Sequence, residues 1–170
     1  ILKREGAEQD YTAEELEKVE ALDKVITEAE KDDLVDTIIV KTQGFVNGNI
    51  KEGDKNPVSI FRNLLALYKG IDRDQLRENM RYFLAAIMPV CEEYGVNMCV
   101  HPDDPPFQIL GLPRIVTDGE DIAWFLNAVD NPHNGLTFCA GSLSAGEHND
   151  TRELAKRFAK RTHFVHLRST

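Results

Sequence analysis

Three short apolar runs constrain this chain most. They lie in NMCVHPDDPP, GLTFCAGS and HFVHLRST, and each carries a potential metal ligand at or near its C-terminal end: His101, Cys139 and His166. The separations are 38 and 27 residues (139 − 101 and 166 − 139), room each time for one helix and one strand. Imidazole and thiolate together suit ions of the Zn, Fe, Co or Mn type. In a parallel α/β barrel the active site forms at strand C-termini. Taken singly, a His at a strand end reads as a hydrogen-bonded structural residue and a Cys in an apolar strand as core. Their recurrence at equivalent strand ends sets a shared metal site beside those packing readings.

The pattern around these runs alternates helix and strand. Thr12 and Glu15 form a capping box that opens a helix over 11–31, with Leu16, Val19, Leu22 and Ile26 as its stripe. Leu34–Val40 is a short apolar run, the segment 44–57 reads as an exposed loop, and Ile60–Tyr68 as a short helix. Asp72 and Gln75 cap a helix running to Gly95, kinked at Pro89, whose stripe is Leu76, Met80, Phe83, Ile87, Val90 and Tyr94; Cys91 packs on it. Strands are predicted at 97–101, 136–139 and 163–168. The helices between them start at Thr117, with Ile122, Phe125, Leu126 and Val129 buried, and near Asp150. This order predicts an α/β fold with parallel strands, either a barrel or an open doubly wound sheet, and helices on one side. Residues 1–70 form a helical region and 71–170 the strand-bearing part of one domain.

Side-chain alternation sorts the strand residues. Asn97, Cys99 and His101 share a face, as do Thr137 and Cys139, and Phe164, His166 and Arg168. The opposite faces, with Met98, Val100, Leu136, Phe138, Val165 and Leu167, are apolar and suited to helices. The proline-rich loop after His101 reads either as a stiff pocket wall presenting Asp103 or as a surface loop with Asp103 and Asp104 solvated. AGSLSAG, with Ser142, offers backbone N–H groups to anions but matches no phosphate-binding fingerprint. Arg168 suits a carboxylate. Asp103, Ser142 and Arg168 are therefore the candidate substrate contacts. His133 in its turn, His148 in a polar loop and His163 at a strand start read as structural or solvent-facing.

A net charge of −9 argues against non-specific nucleic-acid binding. No apolar run approaches the ~20 residues of a membrane helix, and no signal peptide is expected. Three cysteines without a CxxC pair predict free thiols and a reducing, cytoplasmic setting. The first residue is Ile1 and the chain stops directly after a strand, which predicts a fragment of a longer protein.

The segments YKGIDRDQLRENMRYFLAAIMPVCEEYGV, HPDDPPFQILGLPRIV, NGLTFCAGSL and HFVHLRST resemble the mannonate dehydratase family. The likeness runs from about residue 68 to the end; residues 11–67 resemble the family loosely, where long members carry a helical insertion, and the loop at 44–57 departs from it. The resemblance implies a partial TIM-type (β/α)8 barrel with Mn2+ or Fe2+ at its C-terminal mouth. The implied ligands are His101, Cys139, His166 and an Asp beyond Thr170, beside which lies a catalytic His. It implies dehydration of D-mannonate to 2-keto-3-deoxy-D-gluconate in hexuronate catabolism, by a homo-oligomeric parent. The alternatives are a metal-dependent sugar isomerase or epimerase, against which a Cys ligand counts, and an inactive fragment with an incomplete site.

Overall fold

A computed structural model describes residues 6–42 and 56–169. The chain forms two compact units, Ile1–Gly70 with Leu110–Leu112, and Ile71–Ile109 with Pro113–Thr170.

The first unit is helical. Helix α1 (Ala13–Asp23) opens on the capping box: Thr12 Oγ1 accepts from Glu15 N, and Glu15 Oε2 accepts from Thr12 N at 2.7 Å. The single helix expected over 11–31 is two helices. Thr27 and Glu30 build a second capping box that starts α2 (Glu28–Val35), so the chain caps again where continuation was expected. The stripe on α1 stays largely outside the core: Val19 and Leu22 are more than half exposed. Leu34–Val40 finishes α2 and enters a π-helical turn, Asp36–Thr42. Helix α3 (Pro57–Ala66) starts with Asn56 as cap and proline at its first position. Ile39 and Phe61 are buried among Val35, Val58, Ile60, Leu64, Leu65 and Leu110. The remainder of the loop expected at 44–57 lies outside the described residues.

The second unit carries the sheet. Helix α4 (Arg73–Tyr94) has Asp72 as N-cap, accepting from Gln75 N at 2.8 Å, and runs through Pro89 to Gly95. Its buried stripe differs from the expected one. Leu84, Met88 and Cys91 are buried, with Met80 and Ile87 beside them, whereas Phe83, Val90 and Tyr94 are exposed. The helix offers two apolar stripes; tertiary contact with Met98 and Val129 selects the one through Leu84.

Strands β1 (Met98–Val100), β2 (Asn134–Cys139) and β3 (Thr162–His166) form one parallel sheet in the order β1-β2-β3. Helix α5 (Gly119–Ala128) follows β1; α6 (Ala140–Ser144) and α7 (Thr151–Phe158) follow β2. Val100, Leu136 and Phe138 pack in one cluster with Leu76 and Met80 of α4, Ile122, Phe125 and Leu126 of α5, and Leu154 and Phe158 of α7. The helices thus cover one side of the sheet, leaving the other face to the strand-end ligands. Val165 and Leu167 were expected under helices too, but both are exposed. β3 is the edge of the described sheet, and no described element packs over them.

Two local expectations are corrected. The cap of α5 is Asp118, whose carboxylate accepts from Glu120 N and Asp121 N. Thr117 instead gives its N–H and its hydroxyl to Asp121 Oδ2, at 2.9 and 2.7 Å. The AGSLS segment, read as loop, is the short helix α6, with Cys139 as its cap.

Candidate metal centre

His101 follows β1 directly, while Cys139 and His166 are the last residues of β2 and β3. Cys139 pairs with His166 across the sheet. That pairing depends on a β-bulge. Leu136 pairs with Thr162, but Thr137 pairs with Phe164, so His163 is the extra residue. Without the slip Cys139 would face Val165, and His166 would point to the opposite face. The bulge has room because residue 135 is glycine: a Cβ there would overlap the His163 imidazole and lie 2.8 Å from the Arg161 carbonyl. His163 Nε2 is held by the Pro132 carbonyl oxygen at 2.8 Å.

The three ligand atoms lie within 4.8 Å of one another. Cys139 Sγ is 3.5 Å from His166 Nδ1, and the two imidazole centroids are 5.9 Å apart. Bonds of about 2.0–2.3 Å to one ion set tetrahedral ligand atoms roughly 3.3–3.8 Å apart, so small side-chain rotations let all three share an ion. His101 Nδ1 sits 2.7 Å from the Pro102 carbonyl oxygen. Donation there leaves Nε2 with its lone pair free for a metal. Two imidazoles and a thiolate fit a divalent transition ion.

Cys139 is buried while both histidines are exposed. Burial opposes its ionisation, but the Ser142 hydroxyl and backbone N–H and the Arg168 guanidinium outweigh it, bringing the thiol down to about 6. The group is therefore largely thiolate, the ligating form, at neutral pH. Ser142 is fully buried; its Oγ lies 3.2 Å from the sulfur and accepts from Arg168 Nη2 at 3.1 Å. Its hydroxyl is thus committed to neighbours behind the thiol. Arg168 also pairs with Asp104 at the mouth. The Cys139 sulfur first, then Asp104, raise its already high pKa.

Asp103 closes its own loop. One carboxylate oxygen accepts from Ile115 N and Val116 N, both at 2.8 Å, while its backbone N–H donates to the Val116 carbonyl. Arg114 flanks the other oxygen at 3.4 Å. His133 bonds Asn97 and lies, like His163, at the opposite end of the strands.

Sequence reasoning missed two buried polar groups. Asp121 is 1% exposed and takes Arg73, Arg77 and Thr117. Asn134 is fully buried and its amide caps the carbonyls of Phe125 and Val129. The signal for Asp121 was Arg73 and Arg77, four apart and so on one face of α4; nothing local marked Asn134.

The family model described as D-mannonate dehydratase (UxuA) matches residues 6–170. The chain belongs to the D-mannonate dehydratase family. It is 41% identical to the mannonate dehydratase of Chromohalobacter salexigens and 41% to that of Marinomonas sp., over all 170 residues. It spans 42% of the length of each of these curated relatives. A crystal structure of mannonate dehydratase from Streptococcus suis serotype 2 superposes with a TM-score of 0.59 at 37% identity, covering 69% of this chain and 33% of that one.

Proposed function

We propose that the protein carrying this chain dehydrates D-mannonate to 2-keto-3-deoxy-D-gluconate, a step of hexuronate catabolism, using Mn2+ or Fe2+ held by His101, Cys139 and His166. The observation that carries this reading is the convergence of those three ligand atoms at adjacent strand ends. In this reading β1–β3 are three strands of a (β/α)8 barrel, and the ligands stand at its C-terminal mouth. The fourth ligand, an Asp, and the proton-transferring His belong to the part of the family's length that this chain does not span. None of the three cysteines is bridged, and a reducing, cytoplasmic setting is part of this reading.

The reaction removes the proton at C2, α to a carboxylate, and expels the C3 hydroxyl. Such a proton is weakly acidic; a divalent ion held by His101, Cys139 and His166 would supply Lewis acidity to stabilise the developing negative charge. Arg168, at the mouth, binds and orients the substrate carboxylate bidentately, taking it in exchange for Asp104. Asp103 keeps the proline-rich wall rigid through its two backbone hydrogen bonds. Ser142 contributes from behind the sulfur.

The test is 2-keto acid formed from D-mannonate by the full-length protein, before and after chelation and metal add-back. Activity should vanish on chelation and return with metal. Cys139→Ser and His166→Asn should each weaken metal binding by more than about 100-fold, since even outer-shell partners are worth 10–100-fold. Full activity of Cys139→Ser under chelation would remove the metal mechanism.

A further inference from the structure

The sulfur of Cys139 takes hydrogen bonds besides its place among the three ligands. Ser142 approaches it twice, with its backbone N at 3.5 Å and its Oγ at 3.2 Å, and the Arg168 guanidinium stands behind that hydroxyl, donating to it at 3.1 Å. The groups form a chain, Arg168 to the Ser142 hydroxyl and that hydroxyl to the sulfur. A hydroxyl has one proton to give. Ser142 Oγ accepts from Arg168 Nη2 at 3.1 Å and so has its own proton free for the sulfur. Asp104 fixes the guanidinium from the far side. Gly141 makes the approach possible. A Cβ there would lie 2.5 Å from Cγ and 2.6 Å from Nε of Arg168, so any side chain at 141 would push the arginine off the Ser142 hydroxyl.

We propose that Ser142, and Arg168 acting through the Ser142 hydroxyl, are positioning residues that withdraw electron density from the Cys139 sulfur and so narrow the advantage that a thiolate site gives Zn2+ over a harder divalent ion such as Mn2+. A thiolate with free lone pairs donates strongly and favours softer ions. Hydrogen bonds into those lone pairs compete with the metal for the same electrons, and such bonds to sulfur tune metal centres elsewhere. The result is a harder donor set built from an intrinsically soft ligand. Gly141 and Asp104 serve it indirectly, by admitting and holding the guanidinium.

This inference rests on the metal-centre reading above, and the experiment separates the two. The full-length protein is stripped and loaded with Co(II), and the thiolate-to-Co(II) charge-transfer band is recorded in the near ultraviolet. Ser142→Ala and Arg168→Gln should each move the band to longer wavelength, because a sulfur relieved of hydrogen bonds gives up its electrons more easily. Ser142→Thr, which keeps the hydroxyl, should hold the wild-type position. In competition titrations the Zn2+ to Mn2+ affinity ratio should rise roughly tenfold in the first two variants. Arg168→Gln changes a partly exposed side chain and so reads the sulfur even where Ser142→Ala fails to fold. A wild-type band that neither variant shifts would overturn this inference and leave the metal centre standing. No thiolate band in the wild type would remove both.

Discussion

Asp121 ties α4 to the segment that leads into α5. Its buried carboxylate takes Arg73 and Arg77 from α4 and both Thr117 donors from the end of the proline-rich loop. Burial raises its pKa, but the Thr117 bonds, Arg77 and Arg73 outweigh this and hold it below 3.8. A depressed carboxylate contributes stability that is complete above its unfolded value and lost as pH falls through the folded one. Asp121→Asn should therefore cost about 2–4 kcal/mol in urea unfolding near pH 7, below the full cost of a broken buried pair because both arginines reach water. That difference should begin to shrink as pH falls below the ordinary carboxylate value of 3.8; a cost that stays equal from pH 7 into that acid range would refute the ionic account. His133→Asn, at the opposite end of the strands, should leave D-mannonate dehydration by the full-length protein within about twofold.

At the scale of elements, the bulge in β3 is what turns two strand-end residues into a site. It shifts the register by one between Leu136 and Thr137 and so sets His166 opposite Cys139. Gly135 makes room for the extra residue, His163. Gly135→Ala should force His163 away from the Pro132 carbonyl and disturb the register. Metal affinity of the full-length protein should fall by at least about tenfold, measured by calorimetry on samples whose circular dichroism matches the wild type. Unchanged affinity in a folded Gly135→Ala protein would mean that the bulge does not set the ligand spacing. Arg161 supports the same end of the sheet, bonding the carbonyls of Asn131 and Asn134 and the carboxylate of Asp130.

At the scale of the whole molecule, each unit has its own core, and the sheet of the second is apolar on both faces of its edge strand. Phe164, Val165 and Leu167 are all more than half exposed on or beside β3. An unpaired edge with apolar side chains is a template for association. The 170-residue chain on its own should therefore self-associate, and Val165→Lys should reduce light scattering at equal concentration without changing helix content. Equal scattering of the two would show that association arises elsewhere. Among the described residues no helix is long and apolar enough to cross a membrane.

Local sequence was enough for the strand and helix order, because alternation, caps and apolar periodicity are short-range signals. Asp72, Gly95 and the Thr12–Glu15 box all stand at helix ends. Which residues share a face within each strand was legible too, as for Cys99 with His101 and Thr137 with Cys139, since alternation follows from spacing alone. Choices between locally equivalent options were not legible. Which stripe of α4 is buried, and that Asp118 rather than Thr117 caps α5, were decided by neighbours distant in sequence. The bulge at His163 depends on the side chain that position 135 lacks, 28 residues away (163 − 135), so only the folded sheet determines that His166 meets Cys139. Residue types and strand ends specify which ligands are available; cross-strand packing specifies whether they converge.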